Sequence, residues 1–516
     1  MTDIGFWRQA AADRDRLALV APDGTEHRAG ELLDRANQIS HGLRALGLEA
    51  GDTIAVYLPN CAELLQLYFG ALQIGLYFTP INWHLVGPEV AYIVHDCEAK
   101  VFVSHERLAE HATAAADEID FPADRRFAVG SVDGFHPLAE LYEAQPTTLP
   151  ERRTAGAAMH YTSGTTGRPK GVKRGLADID PDDLAALMTM LPNLFGIDPA
   201  DKTHVHLCGS PLYHTAVLMW TANSMHMGHG TVVMDKWTAP EMLRLIDRYG
   251  VTNSHMVPTQ FVRLLDVPED ERARYDMGSL RNMIHGAAPC PHDVKRQMIE
   301  WWGDTIQEYY AATEGGGTII SAKEWLERPG SVGLPWPGSD IRIYDDAGNQ
   351  LGPGQVGTVY MQLMADFDYK DAPEKTRSNR IENYFTVGDV GELDEDGYLY
   401  LRDRKSDMII SGGANIYPAE IEGELIMHPA VADVAVFGIP HPDWGEEIKA
   451  VVELNDGEAA SDDLAADIIT FAGTRMGRFK VPKTVDFAEH LPREANGKLM
   501  KRKLRDPYWE GVERQI

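Results

Sequence analysis

At 516 residues the chain is longer than one hydrophobic core usually serves, so two or more domains are expected. Its 48 basic and 78 acidic side chains give a formal charge of −30, which argues against general binding to nucleic acid or anionic membranes; a polyanionic ligand must meet a local basic cluster. Apolar residues make up 44%, a globular composition, and Cys61, Cys97, Cys208 and Cys290 lie scattered without a CxxC pair or a histidine at ligand spacing, as reduced structural thiols of a cytoplasm would.

In chain order, residues 1–20 mix Asp3, Arg8, Asp13, Arg14, Asp15 and Arg16 with apolar positions, so no signal peptide is expected. Glu31, Leu32, Leu33, Ala36, Ile39, Leu43 and Leu46 follow at helical spacing, with Gly47 placed to stop the helix. A strand is predicted over 52–58, a helix over 62–73, strands over 100–103, 203–207 and 231–234, a helix over 239–249 and a strand over 251–256. The most apolar stretch, 64–81, approaches a bilayer-spanning length, but Gln66, Gln73 and two glycines interrupt it, so it reads as a buried helix passing into a strand. This alternation implies parallel sheets covered by helices. Residues 112–154 are polar and keep no steady period, which predicts a surface excursion. From Ile341 short strands and turns take over: 345–348 and 394–397 have hairpin-turn chemistry, and 392–402 is a predicted hairpin. A strand over 408–411, a break at Gly412 and Gly413, a helix from Pro418, strands over 431–437 and 449–454, a helix over 461–476 and a strand over 484–487 outline a small α+β unit.

Residues 161–172 read Tyr-Thr-Ser-Gly-Thr-Thr-Gly-Arg-Pro-Lys-Gly-Val. Gly164 and Gly167 free the backbone, Ser163, Thr165 and Thr166 add hydroxyl donors, and Lys170 adds a cation, which together make a phosphate cradle. It is not a Walker loop, because Gly171 follows Lys170 where that pattern needs Ser or Thr. Residues 307–316 end a strand in an aromatic, a hydroxyl and an acid, able to supply a base platform, a phosphate donor and a Mg²⁺ ligand. Asp389 has the chemistry to accept hydrogen bonds from two ribose hydroxyls, and Arg404 and Lys498 follow in basic turns. Singly, each has an ordinary reading: a solvated loop acid for Glu314, a turn-capping acid for Asp389, a surface ion pair for Arg404, a solvated basic tail around Lys498.

In this order and at these separations, the segments resemble the acyl- and aryl-CoA synthetases of the adenylate-forming superfamily, which also includes firefly luciferases and the adenylation domains of peptide synthetases. The resemblance runs from Ala18 to Arg505. It implies an α/β fold with a large N-terminal domain (residues 1–405) of parallel-rich sheets covered by helices plus a β-rich subdomain, and a small mobile C-terminal α+β domain (residues 406–516). It also implies the reaction: ATP and a carboxylate give acyl-AMP and pyrophosphate, the small domain rotates, and CoA attacks to form the thioester. Carried over by position, Thr162, Ser163, Gly164, Thr165, Thr166, Gly167 and Lys170 would hold the β- and γ-phosphates. Gly286, Ala287 and Ala288 would line the adenine and acyl pocket, Tyr310 would stack on adenine, and Thr313 would contact the α-phosphate. Glu314, with Thr165, would hold Mg²⁺, and Asp389 and Arg404 would grip the ribose. His214 would adjust between the half-reactions, and Lys498 would bridge the carboxylate and the α-phosphate, an electrostatic catalysis that needs no protein nucleophile.

Two positions depart from the family pattern. Ala311 stands where glycine is common, and Ser406 stands where the hinge is commonly Lys or Asp; rotation needs a backbone that can change, not a particular charge. The predicted acyl wall draws on 211–227, 254–261 and 286–290, with Met219, Trp220, Met225, Met227 and Phe261 apolar and no cation waiting for a second carboxylate; His226 and His229 read as turn or core residues. The expected substrate is a hydrophobic acid, from a medium or long fatty chain to a bulky alicyclic or sterol-side-chain acid. The alternatives are an aryl-CoA ligase, a ligase loading a carrier protein, a luciferase-like oxidation, and a non-catalytic nucleotide-binding protein, the last disfavoured by Lys170, Glu314 and Lys498 together. Arg475, Arg478, Lys480 and Lys483 are candidates for the phosphates of CoA or for an exposed positive face. Expected partners are small molecules, without nucleic acid or a transmembrane segment; the oligomeric state, a homodimer included, stays open.

Overall fold

The computed structural model describes residues 4–162, 169–312, 316–362, 368–369, 379–493 and 499–510. The chain forms two compact units, one of residues 1–256, 267–284 and 365–378, the other of residues 257–266, 285–364 and 379–516. The boundary expected after residue 405 falls inside the second unit.

The first unit holds an all-parallel sheet in the order His136–Pro137, Arg126–Val129, Ala99–His105, Thr53–Val56, Tyr77–Pro80 and Ala157–Ala158. All four residues of Thr53–Val56 are buried, so this strand reads as a continuous apolar run and not as an alternation. Against it packs helix Ala29–Ala45, whose Leu32, Leu33, Ala36, Ile39 and Leu43 enter the core beside helix Ala62–Leu72. The two helices approach closely at Gly70, where a Cβ would lie 2.7 Å from Ile39 Cγ2 and where Ser40 Oγ donates to the Gly70 carbonyl at 2.7 Å. A second group of parallel strands in this unit, Leu17–Val20, Gly230–Val233, Val205–Cys208 and Asn253–Met256, lies side by side.

Residues 112–154 correct the expectation of a surface excursion. Strand Arg126–Val129 extends the parallel sheet, and helices Ala109–Glu118 and Leu138–Tyr142 bury Ala112, Ala115, Ala116, Leu138 and Leu141. The inward positions of the first helix are alanines set among polar residues, so its apolar face is too weak to stand out.

The second unit is mostly antiparallel. Strands Ile306–Ala311, Gly317–Ser321, Ser331–Pro335, Leu399–Arg404, Asp389–Leu393 and Gly357–Gln362 pair in that order. The predicted hairpin joins Asp389–Leu393 to Leu399–Arg404 through a turn closed by the Gly397 amide on the Asp394 carbonyl, with Gly397 at φ 86°. The C-terminal portion has a smaller sheet, Ala414–Ile416, Ile409–Ser411, Gly445–Leu454 and Val431–His441, with Thr484–Ala488 parallel on Gly445–Leu454. Its core gathers Ile421 and Leu425 of helix Pro418–Leu425 and Ile468 and Ala472 of helix Asp462–Arg475. Among the described residues no helix is long and apolar enough to cross a membrane, and all four cysteines are free.

Candidate active site

The candidate phosphate segment is flanked by two paired strands. Strands His160–Thr162 and Lys170–Lys173 pair antiparallel, with Lys170 opposite Thr162 and Gly171 opposite Tyr161. Ser163, Gly164, Thr165, Thr166 and Gly167 lie outside the described residues. Both ends of the segment are tethered: Tyr161 donates its hydroxyl to Asp96 Oδ2, and Tyr92 donates to the Pro169 carbonyl at 3.1 Å. Gly171 lets the Tyr161 ring lie flat across the hairpin, since a Cβ there would sit 3.1 Å from Tyr161 Cζ.

His214 stands at the N-terminus of helix Thr215–His226, with its ring centroid 4.2 Å from that of Tyr213. Asn60 fixes the preceding loop: its side-chain amide donates to the carbonyls of Ser210 at 3.1 Å and Met234 at 2.9 Å, and its Oδ1 accepts the Leu212 amide at 2.8 Å. His214 Nε2 is buried without a hydrogen-bond partner. Burial, reinforced by His160, His255 and His84, pushes its pKa down to about 3, so the imidazole is neutral at physiological pH and offers a polar contact without charge.

In the second unit, three candidate nucleotide residues converge. Asp389 is paired with Arg404 across the hairpin, the Arg404 guanidinium lies 3.5 Å from Asp389 Oδ1, and Tyr310 donates its hydroxyl to Asp389 Oδ2 at 2.5 Å. The strand of Tyr310 is held from behind by a buried ion pair between Lys295, on helix His292–Trp302, and Glu308, two residues before Tyr310. The Lys295 ammonium also sits 4.8 Å from the Trp325 ring centroid. Beside this strand Gly286 admits the Tyr309 carbonyl, which would come within 2.9 Å of a Cβ. Ala287 follows at φ 70°, a left-handed backbone that costs a non-glycine residue about 1 kcal/mol. Ala288 is half-buried beyond it. Thr313, Glu314 and Lys498 lie outside the described residues, so the expected Mg²⁺ ligands are not placed.

Residues 6–363 match the AMP-binding enzyme family, and residues 420–498 match the AMP-binding enzyme C-terminal domain. The chain belongs to the AMP-binding, adenylate-forming enzymes. A long-chain-fatty-acid–CoA ligase of Mycobacterium tuberculosis is 33% identical over 516 residues, covering 98% of this chain and 99% of that one. A fatty acid–[acyl-carrier-protein] ligase of Streptomyces coeruleorubidus is 30% identical, over 94% of this chain and 92% of its own. The crystal structure of ATP-bound MatB from Rhodopseudomonas palustris matches with a TM-score of 0.82 at 30% identity, covering 99% of this chain and 100% of that one. As an AMP-binding enzyme the protein is an acid–thiol ligase of the acyl-CoA and acyl-AMP class, and ATP and CoA fit the family.

Several of the residues predicted for the acyl wall are buried in this AMP-binding enzyme. Trp220 is buried against Phe195, ring centroids 5.2 Å apart, and stacks toward His255 at 6.4 Å. Met225 and Met227 are buried as well. His226 Nδ1 accepts the Phe6 amide at 3.0 Å and His229 is fully buried, in keeping with core roles. Of the basic residues considered for CoA, Arg475 pairs with Glu424 at 2.6 Å and Lys480 with Glu420 at 2.5 Å. Sequence reading missed Asn60, Asp96 and Lys295. A lone asparagine before a helix carries a weak signal, and a lysine on an amphipathic helix reads as solvated unless the acid facing it is known.

Proposed function

We propose that this AMP-binding enzyme activates a hydrophobic carboxylic acid to its acyl-adenylate and then forms the acyl-CoA thioester in the cytoplasm. The observation that carries the nucleotide half of this reading is the convergence of Tyr310, Asp389 and Arg404. A carboxylate poised between one phenol hydroxyl and one guanidinium is suited to exchange one of those contacts for ribose hydroxyls. Ser163, Gly164, Thr165, Thr166, Gly167 and Lys170 would cradle the departing phosphates, Thr313 would contact the α-phosphate, and Glu314 with Thr165 would hold Mg²⁺. Lys498, on a mobile domain of residues 406–516 turning about Ser406, would neutralise charge as the acid attacks. A hydrophobic acid is supported by the neutral imidazole of His214, which gives no cation to a second carboxylate. The relative in M. tuberculosis, named for long-chain fatty acids, agrees with that choice.

One observation supports a second reading, transfer to a carrier-protein thiol: Arg475 and Lys480 already pair with carboxylates, which leaves only Arg478 and Lys483 of the four candidates for the phosphates of CoA. The relative from Streptomyces is named for that transfer. Pyrophosphate release across a panel of fatty, alicyclic and aromatic acids, with CoA or a phosphopantetheinyl carrier protein as acceptor, separates the two. Saturable CoA-dependent thioester formation with the apolar acids supports the first, and release that no acid elicits refutes both. Lys498→Ala should lower acyl-AMP formation by about 10²–10³-fold while sparing thioester formation from supplied acyl-AMP; equal loss of both steps would remove Lys498 from its role.

A further inference from the structure

Beyond the candidate nucleotide residues, the second unit gathers a compact, part-buried set of charges at the base of the strand that carries Arg404. Asp403, the preceding residue, accepts the amide of Ala419 at 2.8 Å through Oδ2, and so caps the first turn of helix Pro418–Leu425. On the same helix Glu422 accepts the Val436 amide at 2.7 Å and the Lys501 ammonium at 2.9 Å. Lys501 opens the helix Lys501–Arg505, whose last residue donates to the Ser406 carbonyl at 3.1 Å and lies 3.6 Å from Asp407. Two residues upstream of Lys501, Leu499 bridges Arg493, and the Met500 amide donates to the Pro492 carbonyl at 2.7 Å.

Burial opposes the charge of Lys501, yet Glu422, Asp403 and Asp407 outweigh it and raise its pKa, so it stays protonated. Burial raises the carboxyl groups of Asp403 and Glu422, and Lys501 is the largest charge acting against that rise in each. A part-buried, mutually compensated set of this kind adds little net stability but favours one register, because each charge is best satisfied in one arrangement of the others. Asp403 belongs to the strand that carries Arg404 and Ser406–Asp407 to the turn after it, whereas Glu422, Lys501 and Arg505 belong to the helices of the C-terminal portion. One charge set therefore ties these two parts together.

We propose that Lys501 is a positioning residue for the adenylation half-reaction: through Glu422 it fastens the helix that begins three positions after Lys498 to helix Pro418–Leu425, whose first turn Asp403 caps from the strand bearing Arg404. The inference rests on the two-step reading given above. It assigns a task in that reaction to a lysine whose ammonium is paired with Glu422. Small displacements at a reacting centre cost large factors, so releasing the clamp acts on the rate constant of adenylation and leaves the affinity for ATP nearly as it was.

The test compares single-turnover acyl-AMP formation with thioester formation from supplied acyl-AMP, in the full-length enzyme. Lys501→Met should lower the adenylation rate constant at least about tenfold, with the KM for ATP and the thioester step within about threefold of the parent, and Lys501→Arg should restore most of the rate. Because Lys501→Met strands Glu422, the double variant Lys501→Met with Glu422→Gln removes both charges and keeps the volume. It should fold at near-parent stability and still adenylate slowly. The proposal is overturned if the double variant adenylates at the parent rate, or if both half-reactions fall by the same factor. A parent enzyme that releases no pyrophosphate with any acid defeats instead the two-step reading, so the two failures are distinguishable.

Discussion

The two units hold most of their buried ionisable side chains on different terms, although the first also pairs the buried Asp182 with Arg153 and the second also buries His285. In the first, burial pushes His160 and His206 to pKa values of about 4 and His214, His226, His229 and His255 to about 3, so that all are neutral imidazoles near pH 7. In the second, Lys295 with Glu308 forms a buried ion pair and Lys501 with Glu422 a part-buried one. A histidine sheds its charge on entering a core, whereas lysine and glutamate keep theirs and must be matched. The first unit is thereby exposed to acid and the second to the loss of a single partner.

Acid should produce the largest effect. Above about pH 6.5 a histidine is neutral both folded and unfolded; below it the unfolded chain takes up protons that the folded chain refuses until about pH 3–4. Stability therefore falls as pH falls through that window, by up to about 1.4 kcal/mol per pH unit for each buried histidine. Denaturant titrations at pH 7, 6 and 5 should show the midpoint dropping steeply, and His206→Asn should flatten the slope. A midpoint that does not move between pH 7 and 5 breaks the contrast.

Removing one member of a buried pair comes next. Lys295→Met should cost about 3–5 kcal/mol, read as a lower unfolding midpoint, and adding Glu308→Gln should recover most of it. If the double variant is no better than the single, Lys295 acts through packing on Trp325 and not through charge. The smallest effect belongs to the nucleotide grip. Tyr310→Phe removes one hydroxyl from Asp389 and should raise the KM for ATP a few-fold, about 1 kcal/mol, with little change in stability. An unchanged KM would place the Tyr310 hydroxyl outside the nucleotide site.

Much of the architecture is legible in the chain because buried strands of a parallel sheet are continuous apolar runs; Thr53–Val56 and Gly230–Val233 stand where the sequence predicts strands over 52–58 and 231–234. Residues 112–154 are less legible, since alanines fill the inward positions of their first helix and their strands are short. The site divides in the same way. Arg404 and Asp389 belong to one hairpin and are neighbours by local sequence alone. The Tyr310 contact depends on the path of a sheet in which three strands separate Ile306–Ala311 from Asp389–Leu393. No local pattern encodes that order, and the Lys295–Glu308 pair is hidden for the same reason.

Asn60 shows how narrow one position can be. Its carboxamide uses two donors and one acceptor toward three backbone groups, and the residue is buried. Aspartate has the length but no donor for the Ser210 and Met234 carbonyls, glutamine has the donors but one methylene too many, and leucine has the bulk and neither function. In a library of all nineteen replacements this site should tolerate none, although no atom of it need touch a substrate. Intolerance to substitution is therefore a poor guide to chemistry in this enzyme: the least replaceable residue in the first unit can be one that only holds a loop still.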